Sequence, residues 1–136
     1  MRKVEFFLPG LVPNKKDNYL PRRQGSKGKG LCIPPEIKRQ LDAIQLMIQG
    51  EWHGAPPLTQ ASVSFDFHLA HDRHDLDGMA TTLQDCLVQA RVLVDDSAAH
   101  VSENHNTYRL VSKRAEGVQV SIVGDLHLPV RGSEGK

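Results

Sequence analysis

Four segments of the chain have the apolar content and the bounded length of β-strands. The clearest is residues 61–69, where every second residue is apolar, as in a strand with one buried face. Residues 2–8 predict a first strand, which ends before a Pro-Gly pair. Residues 107–113 and 118–123 predict two more strands, joined around Glu116-Gly117 as an antiparallel hairpin.

Two further segments repeat their apolar residues at the spacing of an α-helix. The first helix is predicted to begin at Pro34-Pro35, because proline is tolerated in a first turn, and to end at Gly50. The second is predicted over residues 76–90, with Asp75 as its N-cap. Residues 50–59 are predicted to be a surface connection. The apolar stripes are Ile37, Leu41, Ile44 and Ile48 in the first helix, and Leu76, Met79, Ala80, Leu83, Cys86, Leu87 and Ala90 in the second.

This order of elements predicts an α+β fold, in which two helices pack on a small mixed β-sheet. A chain of 136 residues with 39% hydrophobic and 24% charged residues is long enough for one core, so residues 1–136 are expected to form a single domain. The chain has no run of 18 apolar residues, which argues against a membrane-spanning helix. Cys32 and Cys86 form no CxxC motif and the N-terminus has no signal-peptide pattern, so a cytoplasmic location is expected.

The net charge of +1 hides a separation of charge along the chain. Residues 1–39 carry ten Lys/Arg and three Asp/Glu, a balance of +7, whereas residues 40–136 have a balance of −6. Much of the positive charge falls in residues 9–33, predicted to be a long basic loop with a very short strand at residues 31–33. Residues 129–136 are predicted to be a flexible tail. The expected DNA-phosphate contacts are Lys15, Lys16, Arg22, Arg23, Lys27 and Lys29 of the loop, and Arg73. A solvated loop without a partner is the alternative.

The strongest candidate for chemistry is the segment Arg73-His74-Asp75-Leu76-Asp77, with Asp95-Asp96 beyond the second helix. Clustered carboxylates repel one another, and a hard divalent cation such as Mg²⁺ relieves that repulsion because it prefers oxygen ligands. Together with the basic loop, this pattern favours metal-dependent chemistry on a phosphodiester. The alternatives are that Asp75 only caps the helix, that Asp77 is only a favourable charge near the helix N-terminus, and that Asp95-Asp96 is a solvated turn.

The two acidic pairs are separated by the length of the second helix. That helix rises about 20 Å between Asp77 and Ala90. Asp95 or Asp96 therefore reaches Asp77 within one chain only if residues 91–96 double back along the helix, a path that the apolar residues at 92–94 favour. Otherwise the two pairs meet across a dimer interface.

The D-L-D pattern at residues 75–77, followed by Leu93-Val94-Asp95-Asp96, resembles the RusA-type Holliday-junction resolvases. That family carries an R-D-x-D-N motif at the start of a helix, then an apolar residue and D-D about twenty residues later. Pro13-Asn14-Lys15-Lys16 is similar to the family's P-x-N segment, and the predicted closing hairpin also fits.

The resemblance implies a RusA-like fold, a homodimer, and a Mg²⁺-dependent endodeoxyribonuclease, with Mn²⁺ as a substitute ion. Its substrate would be branched DNA, and it would resolve four-way junctions by paired nicks during DNA recombination and repair. The essential acids and metal ligands implied by position are Asp75, Asp77 and Asp96, with Asp95 as a neighbouring ligand.

Two departures from the family pattern open other hypotheses. Gly78 stands where the family has asparagine, and Thr81 stands where it has a basic residue implicated in catalysis. Thr81 cannot supply positive charge to a transition-state phosphate, so either a loop residue such as Lys15 or Lys16 takes that role or activity is reduced. The second hypothesis is therefore a non-catalytic module that binds branched DNA. A third is a zinc-dependent hydrolase, because imidazoles such as those of His68, His71 and His74 suit transition metals.

Overall fold

The sheet and helices form the α+β arrangement expected from the sequence pattern. The structure, a computed structural model, describes residues 1–14, 20–21, 31–32, 34–95, 97 and 100–127. In chain order the elements are β1 (Arg2–Pro9), β2 (Leu20–Pro21), β3 (Leu31–Cys32), α1 (Pro35–Trp52), β4 (Leu58–Leu69), α2 (Leu76–Gln89), β5 (Val101–Leu110), a 3₁₀ turn (Lys113–Ala115) and β6 (Gly117–Leu126). The expected mixed sheet with two helices is confirmed, as is the short strand at residues 31–32, which pairs with β2.

The main sheet has the strand order β1-β6-β4-β5. Strand β6 is antiparallel to both of its neighbours, whereas β4 and β5 run parallel. A parallel pair needs a crossover connection, and α2 supplies it by returning the chain along the sheet. Because β4 alternates apolar and polar residues, Val63, Phe65 and Phe67 point into the core, while Asp66 and His68 lie on the opposite face.

Both helices bury their apolar stripes against the same face of the sheet. From α1, Ile44, Ile48 and Trp52 enter the core, and the α2 residues Met79 and Leu83 pack into the same cluster. The indole N–H of Trp52 is satisfied by the carbonyl of Ala55 at 2.7 Å, so this large side chain is buried without an unpaired donor. Within the described residues, neither helix combines the length and the apolar content needed to span a bilayer.

The predicted hairpin of residues 107–113 and 118–123 is wrong. Strands β5 and β6 do not pair with each other, because β4 lies between them. Strand β6 carries Val118, Val120 and Ile122, all fully buried, which suits a central strand. Strand β5 has too few apolar residues for that position and lies at the sheet edge. The connection between them passes the end of β4, where Val111 donates to the carbonyl of Leu69 at 2.8 Å.

Element boundaries also differ from the prediction. The strand predicted at residues 107–113 is β5, which begins earlier at Val101 and ends at Leu110, before the 3₁₀ turn. Gly50 does not end α1, which continues to Trp52; His53 then adopts a left-handed conformation and its N–H bonds the carbonyl of Gln49. Burying Trp52 outweighs the roughly 1 kcal/mol that glycine costs inside a helix. The predicted surface connection is shorter than expected, because β4 begins at Leu58, a fully buried residue.

Candidate functional site

The site begins where β4 ends and α2 starts. After Leu69 the chain is polar until the helix opens at Leu76, and Asp75 is extended (φ −83°, ψ 101°), as an N-cap residue should be. The Oδ1 atom of Asp75 accepts the backbone N–H of Gly78 at 3.2 Å, which confirms the predicted cap. Asp77 lies in the first helical turn and is exposed, so its negative charge sits near the positive end of the helix.

The second carboxylate oxygen of Asp75 faces a distant part of the chain. Asn14 Nδ2 donates to Asp75 Oδ2 at 3.3 Å, although the two residues are 61 positions apart. Asn14 immediately precedes Lys15 and Lys16 in the sequence. The described end of the N-terminal segment is therefore attached to the first acid of the D-L-D pattern.

Gly78 makes this approach of Asn14 sterically feasible. A Cβ atom at position 78 would overlap the amide group of Asn14. The sequence analysis noted Gly78 only as a departure from the family's asparagine. It did not predict that this small residue provides space for another segment. The available signal was the glycine in the first turn of a helix, where it lowers helix propensity and so calls for a packing reason.

A cleft of about 710 Å³ lies beside the start of α2. Its walls come from the segment after β1, from one side of α1 and from the residues that open α2. Arg73, His74 and Asp75 contribute polar groups to it, and Ile44 and Met79 contribute apolar ones. Of the residues predicted to contact DNA, Arg73 is the one within the described residues, and its side chain is exposed. A guanidinium beside exposed carboxylates can bind a phosphate while the acids hold a cation.

Asp95 lies at the other end of the sheet. Residues 91–94 do not double back toward Asp77, because Val92 and Leu93 are buried at the start of β4 and backbone hydrogen bonds join Val92 and Val94 to Leu58. The 14-residue helix α2, about 20 Å long, separates this point from Asp77. Residues 91–95 therefore do not follow the path back along α2 that a site within one chain requires. The structure does not bring Asp95 to Asp75 and Asp77 within the protomer.

The local contacts of Asp95 hold it as a charged group. Hydrogen bonds from the side chain and the backbone N–H of Ser97 lower the pKa of Asp95 below its usual value, with a smaller contribution from His100. The Ser97 N–H lies 2.8 Å from Asp95 Oδ1, and His100 Nε2 lies 3.8 Å from Asp95 Oδ2. These contacts fit the solvated-turn alternative and equally leave a carboxylate ready to bind a cation.

Several predicted site residues lie outside the described residues. They are Asp96 and the loop cations Lys15, Lys16, Arg22, Arg23, Lys27 and Lys29. The expected tail at residues 129–136 also lies there, as does most of the basic loop. The predictions for these residues stay predictions.

The histidines near the motif do not form a metal site among the described residues. His71 and His74 stack with ring centroids 4.3 Å apart, and His68 lies 3.5 Å from Asp66 on the far face of the sheet. Across the parts of the chain that are described, no group of three or more His, Cys, Asp or Glu side chains is placed to hold a metal ion. Asp75 and Asp77 carry carboxylates, the kind of ligand that Mg²⁺ prefers, and whether they bind a cation stays a prediction.

No protein-family model matches the chain, and no curated protein matches it.

Proposed function

We propose that this protein is a homodimeric, Mg²⁺-dependent endodeoxyribonuclease that nicks branched DNA, as the resemblance to RusA-type resolvases implies. The observation that carries the proposal is the Asn14–Asp75 hydrogen bond, which joins the segment leading to Lys15 and Lys16 to the acidic start of α2. DNA-binding cations and metal-binding carboxylates would then act on the same phosphodiester.

Each described residue has a distinct part in this proposal. Asp75 and Asp77 would hold the cation, and the cap to Gly78 fixes the position of Asp75 before any ligand arrives. When bound, the divalent cation would stabilise negative charge on the scissile phosphate and lower the pKa of a water. Arg73 would contact a backbone phosphate, which positions the strand without reading its sequence.

Thr81 does not replace the missing basic residue of the family. Its hydroxyl donates to the backbone carbonyl of Asp77 at 2.8 Å, so it is engaged within the helix and carries no charge. Arg73 lines the same cleft as Asp75, and Lys15 directly follows Asn14, which donates to Asp75, in the sequence. We expect positive charge for the phosphate to come from them.

The test is nicking of a synthetic four-way DNA junction, with and without Mg²⁺. Wild type should nick only with Mg²⁺, and Asp77→Asn should lose about 100-fold or more in rate, the range seen when a group that stabilises a transition state is removed. Asp72→Asn is the matched control, because Asp72 is also exposed and lies in the same connection but outside the D-L-D pattern. Equal nicking by wild type and Asp77→Asn would contradict the assignment.

The non-catalytic alternative has its own supporting observation: Thr81, which is uncharged and bonded within the helix, stands where the family has a basic residue. It predicts junction binding that weakens steeply with salt, without any Mg²⁺-dependent cleavage. Junction binding measured beside the nicking assay therefore separates the nuclease from the non-catalytic module. Binding with no nicking under any metal condition favours the module, and nicking excludes it.

A further inference from the structure

The cleft beside the start of α2 exposes apolar side chains from two of its walls. Leu11, in the segment after β1, is 43% exposed, and Met47, on α1, is 36% exposed. Ile37, which is half-buried, and Ala43, which is exposed, line the cleft on the α1 side as well. Apolar side chains that stay exposed along a concave surface indicate a ligand with an apolar body.

The same cleft has polar groups where the connection after β4 reaches α2. Arg73 and Asp75 line it with exposed side chains, and His74 lines it half-buried. The Nε2 atom of His74 is buried and has no hydrogen-bond partner within the part of the chain that the structure describes. The ring is held by stacking on His71, with centroids 4.3 Å apart. A buried nitrogen without a partner costs free energy, which a ligand with a polar edge would recover.

Two walls of the cleft are braced by one residue, Glu116. Its backbone carbonyl accepts the N–H of Gly10 at 2.8 Å, and its Oε2 atom accepts the N–H of Ala70 at 2.9 Å. Gly10 directly precedes Leu11 and has a φ of 94°, a conformation that glycine adopts without strain. Ala70 begins the connection that leads to Arg73. The cleft is therefore formed before a ligand arrives, which lowers the entropy cost of binding.

We infer that the cleft binds one nucleobase of the branched DNA, from a nucleotide that has left the base stack beside the scissile phosphate. The inference rests on the proposed function and adds a binding site to it. A nucleotide matches each part of the cleft: its ring faces meet the apolar walls, its polar edge meets His74, and its phosphate meets Arg73. The volume of about 710 Å³ lies within the range of about 300–1,000 Å³ that is usual for small-molecule sites.

A base-binding cleft would select branched DNA over a continuous duplex. Taking a base out of the stack costs free energy in a duplex, and the cost is smallest where the base is already unpaired or poorly stacked, as at a branch point. Phosphate contacts such as that proposed for Arg73 position a strand but do not read its bases. The cleft thus supplies a selection for substrate shape that the acids and the cations do not provide.

The test is a fluorescence titration that does not depend on activity. A synthetic four-way junction carries 2-aminopurine at one nucleotide beside the branch point, and each such position is labelled in turn. The base analogue fluoresces weakly when it is stacked and more strongly when it leaves the stack. Ca²⁺ replaces Mg²⁺, so that binding is measured apart from cleavage. The wild-type protein should raise the fluorescence several-fold at one or more positions, and should leave the fluorescence of the same label in a continuous duplex unchanged.

Two neighbouring residues of α1 give a matched pair of variants. Met47→Gln replaces an apolar wall of the cleft by a polar amide, so it should weaken junction binding about tenfold and remove most of the fluorescence rise. Leu46→Gln is the control, because Leu46 is 68% exposed on the same helix and does not line the cleft. Both side chains are exposed and neither change alters the net charge, so folding and long-range attraction of DNA should be the same in the two variants.

The outcomes separate the cleft from the proposed function. A fluorescence rise that Met47→Gln loses and Leu46→Gln keeps supports the cleft, and if that protein never nicks with Mg²⁺ the proposed function alone is overturned. Nicking by a wild type that raises the fluorescence at no labelled position overturns the cleft and leaves the proposed function intact. Equal behaviour of the two variants also overturns the cleft. A wild type that does not bind the junction at all overturns both.

Discussion

Asp75 caps α2 and, in the proposed function, binds a metal ion. Substitutions at this position can separate the two roles. As the N-cap of α2 it accepts the Gly78 N–H at 3.2 Å, and as an exposed carboxylate it is a proposed metal ligand. Asp75→Ala removes both functions. Asp75→Asn and Asp75→Ser keep a capping oxygen, because asparagine and serine cap helices about as well as aspartate.

The stability effect follows from the cap. Losing an N-cap costs about 0.5–2 kcal/mol, so we expect Asp75→Ala to lower the free energy of unfolding by about 1–2 kcal/mol. For a domain of this size that corresponds to a fall in Tm of roughly 3–8 °C. Asp75→Asn loses only the interaction of its charge with the helix dipole, about 0.3–1 kcal/mol, and Asp75→Ser loses about as much.

The assay uses the single tryptophan of the chain. Trp52 is 2% exposed, so its fluorescence reports urea unfolding of the whole core. Equal destabilisation by Asp75→Ala and Asp75→Asn, or none by either, would refute the capping argument. Junction nicking supplies the second readout: if Asp75→Asn is stable but nicks at the wild-type rate, its carboxylate is not a metal ligand.

Two other predictions concern packing and pH. Gly117→Ala should destabilise the protein by about 1–3 kcal/mol, because a Cβ there would overlap the Phe7 ring and lie 2.6 Å from the Leu8 carbonyl oxygen. Gly50→Ala, which meets nothing within 4 Å inside a helix, should instead stabilise by about 0.5–1 kcal/mol, and the opposite ranking in urea midpoints would refute this reading. The lowered pKa of Asp95 means that its charged form stabilises the folded state above about pH 4 and that this contribution disappears as the pH falls below that value. The stability difference between wild type and Asp95→Asn should therefore be present at pH 7 and shrink toward pH 3; a difference that grows on acidification would contradict the assignment.

The alternation of residues along β4 and the apolar stripe of α2 were readable from the sequence because both depend on local spacing. A strand with one buried face must alternate, and a helix with one buried face must repeat near every 3.6 residues. The cap at Asp75 is equally local, since its acceptor and donor are three residues apart. These features fixed the fold class and one half of the candidate site.

Strand order and the contents of the site depended on contacts between distant residues. Strands β5 and β6 are neighbours in sequence, but β6 took the central place because its apolar residues gain more from burial between β1 and β4. The same competition placed Val92 and Leu93 against Leu58, and so carried Asp95 away from Asp77. The space that Gly78 leaves for Asn14 also depends on a contact between distant residues, because no local pattern specifies which segment will fill it.

Local periodicity thus determined which segments are helices and strands and where the first two acids stand. Only the tertiary structure decided which strands pair, which acids share an end of the sheet, and which edge is left open. The physical reason is that hydrogen bonds and side-chain spacing within an element act over a few residues, whereas burial is shared by the whole chain and is settled by which segments compete best for the core.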